Sequence, residues 1–530
     1  MENIKLSKET LMNMSNEALV EIILLLQNNI EQLNHNVELL TEQIRINNQR
    51  KFGRSSETTS ALFELQQFDL AFNEAEASKD ESAKEPTIEQ LPKKKKQKGT
   101  KENNLKKIAN HREVVIEMTT EELNKKYGEG KWKKLPMETI VKLEHHPAFF
   151  EVVTYKIGVY AKNDNETIVR AEKPQELLPG SIVTPSLMSS ILFAKYVNAV
   201  PLYRQEQAYQ SNDVFISRQN MANWTIKMSN MYFKTYFDEM KKRMMHEKIL
   251  NVDETPFLVT KDGRQAGSKS YMWVYRSSND KKIVLYDYQL TRKAEHPQKF
   301  LKDYDGIIVS DGYAAYHKLE KLQPDKFKVA GCWAHLKRIF ATVIKSAGKE
   351  ASKGTIAEEA SLRITKLYHM DNKGKDMTPE ERNKYRQEII KPLVDEFFEW
   401  AKVTQPKVLA NSETGKGLQY AINQEQYLRT FLSNSIIPLD NNAAERSIRP
   451  FCLGKKNWVM IDTIQGAEAS AIIYSIVETA KANDLKIYDY LKYLLEELPK
   501  YTKPFDSKLP TKLFPWSPDF PQELRKATVK

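Results

Sequence analysis

Apolar residues near the N-terminus recur at alternating steps of four and three residues, at Leu26, Ile30, Leu33, Val37, Leu40 and Ile44. This is the spacing of the a and d positions of a coiled coil. The pattern therefore predicts a helical oligomerisation segment within residues 1–54. A helix packed on the protein's own body is the alternative, because the polar face is rich in Asn and Gln rather than in paired charges. The segment ends in a basic cluster suited to phosphates, at Arg50, Lys51 and Arg54.

The next two stretches lose this periodicity. Residues 55–107 combine an acidic, Ala-rich part with a lysine tract and hold too few apolar residues to offset chain entropy, so we expect a mobile linker. Residues 108–175 contain short alternating runs that predict a small β-rich domain. This domain contains His111, His145 and His146 but no cysteine, so its ligands do not support a zinc ribbon and we expect no structural zinc.

Between residues 180 and 245 the apolar period becomes helical. Ser217 is a suitable N-cap for one helix, and a turn around residues 211–213 separates that helix from the preceding one. The two helices predict a helix-turn-helix-like DNA-binding region that offers three side chains to base edges, Arg218, Gln219 and Asn220. A plain helical scaffold is the alternative.

Short apolar runs then predict five strands, at residues 249–252, 271–275, 283–288, 307–309 and 329–331. Their meander-and-crossover order fits an α/β ribonuclease-H-like catalytic core, with its first part in residues 246–345. Residues 346–435 are charged and helical in period, so they predict an all-helical insertion. The core resumes in residues 436–485, and we expect a C-terminal tail in residues 486–530.

Three acids stand in suggestive settings within this core. Asp253 and Asp311 follow the predicted strands at 249–252 and 307–309, and open α/β sheets bind ligands at such strand ends. Glu445 lies about one turn into a helix that Asp440 or Asn441 would cap. Carboxylate oxygens suit Mg²⁺, and two such ions can activate an attacking oxygen and stabilise a leaving one. Each acid alone also fits a turn, a cap or a solvent-facing helix position.

Other residues near the acids suggest contacts to phosphates. His335 follows Cys332 by three residues, but two ligands do not make a zinc site. We place His335 in the catalytic group near the scissile phosphate, where it could orient the leaving oxygen or donate a hydrogen bond to a non-bridging one. A half-buried Cys and a helix-capping His are the plain alternative. The cations and the stacking aromatic expected to contact DNA are Lys337, Arg338, Arg446, Arg449, Lys455, Lys456 and Trp458.

Composition narrows the class of protein. The 530 residues carry a formal net charge of +11, which favours a polyanionic partner without proving one. The sequence has no run of about twenty apolar residues and no signal-peptide layout, so we expect a cytoplasmic protein without membrane contact. Two cysteines far apart in sequence argue against a disulfide framework.

Several motifs together resemble the transposases of the insertion-sequence-66 family. They are Asp-Glu-Thr from Asp253, Asp-Gly-Tyr-Ala-Ala-Tyr from Asp311, Cys-Trp-Ala-His from Cys332, and Asn-Asn-Ala-Ala-Glu-Arg-Ser-Ile-Arg-Pro around Glu445. The resemblance covers nearly the whole chain. It departs from the family in residues 112–172, where the family usually carries a cysteine-bearing zinc module and this chain has no cysteine.

The resemblance implies a DDE-type transposase in which Asp253, Asp311 and Glu445 bind Mg²⁺ or Mn²⁺. Such an enzyme cleaves double-stranded DNA at the terminal inverted repeats of its element and joins the 3′-hydroxyl ends to target DNA. Its expected partners are this DNA, further copies of the chain in a homo-oligomer, and accessory proteins of the same element. Two alternatives remain: a catalytically silent DNA-binding regulator, and a ribonuclease-H-like nuclease that cuts without joining.

Overall fold

The computed structural model describes residues 14–52, 176–277, 281–348, 350–501 and 509–527, with a few positions between 121 and 170. The predicted linker, most of the predicted β-rich domain and Arg54 lie outside the described residues. The chain divides into two compact units, one of residues 1–70 and 176–525 and the other of residues 71–175 and 526–530. In the second unit, an antiparallel pair is described, with strands β1 (Val159–Ala161) and β2 (Ile168–Arg170).

The N-terminal periodicity corresponds to one long helix, α1 (Asn16–Phe52). Five of the six predicted seam residues have described side chains, and these are 52–62% exposed: Leu26, Ile30, Leu33, Val37 and Ile44. The helix is therefore confirmed, and these seam side chains are more than half exposed. The coiled coil itself stays a prediction. Arg50 and Lys51 lie in the last turn of α1.

Four helices form the region predicted to bind DNA. They are α2 (Pro185–Tyr196), α3 (Leu202–Gln210), α4 (Arg218–Met228) and, after a π-helical turn at Ser229–Phe233, α5 (Lys234–Met244). Ser217 caps α4 as predicted, since its hydroxyl accepts the Asn220 N–H at 3.2 Å. Ile191, Ile216 and Met221 form a small core that joins α2 to α4.

The central sheet contains all five predicted strands, as β3 (Ile249–Lys261), β4 (Lys269–Ser277), β5 (Val284–Gln289), β6 (Gly306–Ser310) and β7 (Phe327–Gly331). Their order is β5-β4-β3-β6-β7, antiparallel from β5 to β3 and parallel from β3 to β7. Short helices α6 (Glu295–Phe300) and α7 (Ala314–Leu322) connect β5 to β6 and β6 to β7.

One prediction about this sheet was wrong. Asp253 does not end a strand, because β3 continues past it to Lys261. The second half of β3 is held on both sides, by β4 as far as the Leu258–Lys269 pair and by a short parallel strand that begins at Met460. A strand with partners on both edges extends well beyond its apolar first half.

The predicted insertion is helical in its described residues. After α8 (Trp333–Ala347) come α9 (Ile356–Lys373), α10 (Pro379–Tyr385), α11 (Lys391–Thr404), α12 (Glu413–Asn423) and α13 (Glu425–Leu428). A second hydrophobic core includes Trp333, Phe397 and Phe398 and reaches the sheet at Ile249, Val309 and Ala330. The fully buried Arg386 donates to Asp371 and to the carbonyl of Phe431, so its charge is satisfied.

The chain then returns to the sheet with α14 (Asn442–Trp458), β8 (Met460–Thr463) and α15 (Ile464–Ala482). Helix α15 covers the free edge of β5, where the hydroxyls of Thr479 and Ser475 accept the N–H groups of Val284 and Tyr286 at 3.0 and 2.8 Å. The stretch predicted as a tail instead opens with α16 (Ile487–Glu497), whose apolar face is buried in the main core.

Candidate active site

Two of the three acids lie at corresponding positions of neighbouring parallel strands, Asp253 within β3 and Asp311 directly after β6. Asn251 of β3 is in register with Val309 of β6, and Asp253 and Asp311 each follow two residues later. Alternate residues of a strand share a face, and neighbouring strands lie about 4.8 Å apart. The register therefore brings Asp253 and Asp311 to the same level of the sheet, on the face where Asn251 lies.

A pair of buried asparagines attaches the third acid's helix to this point. The Asn251 side chain donates to Asn441 Oδ1 at 2.9 Å, and Asn441 Nδ2 donates to the Val252 carbonyl at 2.6 Å. Both asparagine side chains are fully buried. Asn441 is the N-cap residue of α14, and Asp440 accepts the Asn442 N–H at 3.0 Å, so both predicted capping residues lie at this helix start.

Glu445 lies just over one turn into α14, and Arg338 of α8 contacts it. One guanidinium nitrogen of Arg338, Nη2, lies 3.0 Å from Oε1 and 2.7 Å from Oε2 of Glu445. The Glu445 side chain is only 10% exposed, whereas that of Arg338 is 41% exposed. Arg338, predicted only as a DNA contact, is thus also the ion-pair partner of an acid.

The acids influence one another through their charges. Burial, together with the negative charges of Glu254, Asp311 and Glu445, raises the pKa of Asp253 well above its usual range. Burial also raises the pKa of Glu445, and Arg338 opposes that rise. The three predicted acids are therefore close enough to repel one another, and bringing a cation among them would relieve that repulsion.

His335 lies beside Asp311, as part of a cluster that holds the loop after β6. Its ring is 5.4 Å from that of Tyr420, whose hydroxyl donates to the Asp311 carbonyl at 2.7 Å. Burial lowers the pKa of His335, against the opposing charge of Asp311. Cys332 is fully buried, and its sulfur accepts the Asn441 N–H at 3.2 Å. Burial raises the pKa of the Cys332 thiol to about 12, so this cysteine has a packing role.

Glu254, the residue after Asp253, projects toward a different set of partners. Its Oε1 accepts from Arg292 Nε at 2.9 Å, and the Arg292 guanidinium lies 3.9 Å from the centre of the Tyr313 ring. Burial, with the charge of Asp311, raises the pKa of Glu254 to about 7. Arg292 was not identified from the sequence, and Tyr313 was noted only as part of the Asp311 motif. Together they form a cation stacked on an aromatic ring next to Asp311.

The predicted DNA-contacting residues that the structure describes lie on four helices, α1, α4, α8 and α14. Arg218, Gln219 and Asn220 are exposed at the start of α4, and Arg446 and Lys456 are exposed on α14. Lys337, Arg449 and Lys455 are partly buried, and Lys455 donates to the Pro256 carbonyl at 2.8 Å. Trp458 is half-buried, with its ring 5.5 Å from that of Phe451, so it is held by the core as well as facing outward.

Within the described part of the chain, no three His, Cys, Asp or Glu side chains are grouped closely enough to hold a metal ion as they stand. The donor chemistry nevertheless fits a divalent cation, because carboxylate oxygens are the ligands that Mg²⁺ and Mn²⁺ prefer. In the same part of the chain, no helix is both long enough and apolar enough to cross a membrane.

Comparison with known families agrees with this geometry. Three family models match the chain: Transposase IS66 family at residues 180–469, IS66 C-terminal element at 475–516, and Transposase C of IS166 homeodomain at 39–108. The sheet, the acids and the helical insertion all lie within the first match, which spans more than half of the 530 residues. The protein is therefore a transposase. The chain belongs to the IS66 transposase family.

Its curated relatives include two proteins of Sinorhizobium fredii (strain NBRC 101917 / NGR234), both described as uncharacterized. Protein y4qI is 27% identical over 389 residues, which cover 71% of this chain and 70% of the relative. Protein y4hP is 27% identical over 376 residues, which cover 68% of this chain and 67% of the relative. The descriptions of these relatives give neither a family nor an activity.

Proposed function

We propose that this transposase is of the DDE type, with Asp253, Asp311 and Glu445 as its metal-binding acids. The observation that carries the proposal is the register of β3 and β6, which brings Asp253 level with Asp311 while the Asn251–Asn441 pair attaches the helix of Glu445 beside them. Three antiparallel strands followed by two parallel ones, with the third acid on a helix after an insertion, also support a ribonuclease-H-like core.

The reaction proposed is cleavage at the terminal inverted repeats of the element, followed by joining of the 3′-hydroxyl ends to target DNA. Two divalent cations, Mg²⁺ or Mn²⁺, would supply activation of the attacking oxygen and stabilisation of the leaving oxygen. The three acids would hold these cations, and the mutual repulsion of their charges supports this role. No structural zinc is part of the proposal.

Residues around the acids would hold the DNA backbone. Arg292, stacked on Tyr313, presents a 44% exposed guanidinium next to Asp311, and Arg446 and Lys456 extend the positive surface along α14. Burial lowers the pKa of His335, which favours the neutral ring at physiological pH. The N–H of that ring would donate a hydrogen bond to a phosphate oxygen or to the leaving oxygen. Lys337 and Arg338 would contact phosphates on the same side.

Recognition and assembly involve the rest of the chain. The exposed start of α4, with Arg218, Gln219 and Asn220, would contact the inverted repeats. The exposed apolar seam of α1 favours a coiled coil between copies of this chain, because burying such side chains against a second helix is favourable. The adjacent Arg50, Lys51 and Arg54 would then lie near the DNA. The cytoplasm is the proposed compartment.

One assay separates this function from its alternatives. The purified protein is incubated in Mg²⁺ with a labelled duplex that carries the element's inverted repeat, together with target plasmid. A transposase cuts at the repeat and joins the label to the plasmid. A DNA-binding regulator retards the duplex in a gel and leaves it uncut, and a nuclease cuts it without joining. Either of the last two results would contradict the proposal.

A further inference from the structure

A groove separates the start of α4 from the chain that connects α14 to α15. Its volume is about 660 Å³, within the range of roughly 300–1,000 Å³ typical of small-ligand sites. One wall is the face of α4 that carries Arg218, Gln219, Ala222 and Asn223, and the other is formed by Trp458 and residues 460–463. We name it the α4 groove.

Rigid aromatic residues form part of the lining. Tyr196 packs edge-to-face on Tyr474 at 5.0 Å, and its hydroxyl lies 3.3 Å from Ser470 Oγ. The Trp458 side chain lies beside the Tyr474 hydroxyl and moderates the rise that burial imposes on the pKa of Tyr474. A Cβ at Gly454 would meet Tyr474 Oη at 2.4 Å and Trp458 Nε1 at 2.9 Å, so glycine is required for this arrangement. The aromatic side chains are therefore fixed before any ligand binds.

The polar groups of the groove match a nucleotide. Gln219 and Asn223 offer amide donors and acceptors of the kind that read base edges. Lys195 and Arg218 add positive charge suited to backbone phosphates. The acid in the groove, Asp462, is itself paired with Lys261 Nζ at 2.7 Å. Tyr196 and Tyr474 are 3% and 1% exposed and support the wall from behind, whereas the Trp458 ring is only half-buried. The Trp458 ring, the base-reading amides and the positive charge together favour a nucleobase.

The size of the groove excludes a duplex as its occupant. A helix that reads double-stranded DNA must enter a major groove about 12 Å wide with its reading face outward. Here Gln219, Ala222 and Asn223 face a wall of the same protein molecule across the groove. A single base turned out of the duplex fits this space, as in other proteins that act on extruded bases.

A strained apolar turn lies at the edge of the groove. Val459, between Trp458 and Met460, has φ 64° and ψ −52°, a γ-turn geometry that is rare for a β-branched residue. Val459 and Met460 are 58% and 46% exposed. Exposed apolar side chains of this kind separate stacked base pairs in many DNA complexes. The turn is anchored by Asn457 Nδ2, which donates to the Ala199 carbonyl at 2.9 Å.

The groove also lies at a defined separation from the acids. Helix α14 rises about 1.5 Å per residue from Glu445 to Trp458, a length of about 20 Å. Along β3, the five steps from Asp253 to Leu258, the partner of Met460, span about 17 Å. With about 3.4 Å between nucleotides of one DNA strand, a separation of about 17–20 Å between the acids and the groove corresponds to on the order of five nucleotides.

From this we infer that the α4 groove binds one nucleotide turned out of the element's DNA, displaced by the Val459–Met460 turn on the order of five nucleotides from the cleaved bond. The inference rests on the proposed transposase function and adds a second point at which the enzyme holds its substrate. Holding the strand there would fix the position of the scissile phosphate relative to the acids.

The test places 2-aminopurine, whose fluorescence depends on stacking, at each adenine position around the cleaved bond of an inverted-repeat duplex. With the wild-type protein we expect a fluorescence change confined to one nucleotide, on the order of five positions from that bond. Ala222→Trp fills the groove and should abolish the change. It should also slow cleavage by roughly 5- to 150-fold, the range associated with losing one base–aromatic stacking contact.

Ala208→Trp is the matched control, because Ala208 is exposed on α3 and does not line the groove. It should retain both the fluorescence change and the cleavage rate. If Ala222→Trp does not fold, Asn223→Ala at an exposed helical position must weaken the fluorescence change instead. Cleavage by the wild type with no localised fluorescence change, or a fluorescence change that persists in the groove variants, would overturn the inference about the α4 groove and leave the proposed function standing. A wild type that neither binds nor cuts the duplex would overturn the proposed function as well.

Discussion

Arg338 Nη2 lies within hydrogen-bond distance of both carboxylate oxygens of Glu445, at 3.0 Å from Oε1 and 2.7 Å from Oε2. The arginine comes from the helix after β7 and the glutamate from the helix after the insertion, so the contact joins the two parts of the core. The Arg338 charge opposes the rise that burial imposes on the pKa of Glu445. Arg338 therefore favours the ionised form of Glu445, which is the form that the proposed cation binding requires.

Arg338→Ala should move the pH dependence of cleavage upward. Without the guanidinium, burial and the charges of Asp440 and Asp311 raise the pKa of Glu445 further, so a higher pH is needed to ionise it. We expect the half-maximal pH of Mg²⁺-dependent cleavage to rise by about one pH unit. Arg338→Lys keeps the charge and should show a smaller rise. A midpoint that stays constant or falls in Arg338→Ala would contradict this role.

Asn441→Ala should impair both stability and activity. The substitution removes two buried hydrogen bonds, from Asn251 to Asn441 Oδ1 and from Asn441 Nδ2 to the Val252 carbonyl, at a cost of about 2–4 kcal/mol in the free energy of unfolding. Below the unfolding temperature, cleavage should fall on the order of 100-fold, because the start of α14 and hence Glu445 are displaced. Asn442→Ala, one residue along, is the control. Wild-type cleavage by a folded Asn441→Ala variant would show that this pair does not position Glu445.

Gly312→Ala tests the loop that carries Asp311. Gly312 has φ +90°, and a Cβ there would meet Tyr420 Oη at 2.7 Å. The variant would therefore suffer backbone strain of about 1–3 kcal/mol and lose the contact between Tyr420 and the Asp311 carbonyl. Cleavage should drop on the order of 100-fold. Tyr420→Phe, which removes only the hydroxyl, should reduce cleavage less than Gly312→Ala does. A larger loss of cleavage in Tyr420→Phe would contradict this account of the loop.

Glu478 of α15, outside the candidate active site, should make the stability of the protein depend on pH. Burial raises its pKa to about 7, against Lys481 and Arg276. The folded state thus binds this proton more tightly than the unfolded chain, whose carboxyl has a pKa near 4.5. Its stabilising contribution is complete below pH 4.5 and is lost as pH rises to about 7.

Glu478→Gln should therefore stabilise the protein at pH 8, by about 1–3 kcal/mol, and have little effect below pH 4.5. Thermal unfolding at both pH values measures this difference. Glu468→Gln, at an exposed position of the same helix, should change neither curve. A Glu478→Gln variant that is less stable than wild type at pH 8 would show that the ion pair with Lys481 outweighs the burial cost.

The sequence was sufficient for the features that depend on local pattern. All five strands of the predicted core were visible as alternating or apolar runs, Asp311 directly follows β6 as expected, and Ser217 is the N-cap of α4. These features depend on residues adjacent in the chain, where propensity and periodicity act directly.

What was missed depends on contacts between distant segments. Strand β3 runs past Asp253 because β4 and β8 pair with its second half, and β8 itself was not anticipated. The Asn251–Asn441 pair joins residues 190 positions apart. Asn441 was predicted only as a candidate helix cap, and Asn251 was not singled out. Arg338 looked like a DNA contact because its partner, Glu445, is 107 residues away.

The most direct test of the central claim is cleavage and joining of the inverted-repeat duplex in Mg²⁺ by Asp253→Asn, Asp311→Asn and Glu445→Gln. These changes keep the size of each side chain and remove its charge. We expect each variant to retain wild-type binding of the duplex in a gel-shift assay and to lose cleavage and joining. Normal strand transfer by any one of the three would contradict the assignment of Asp253, Asp311 and Glu445 as the metal-binding acids.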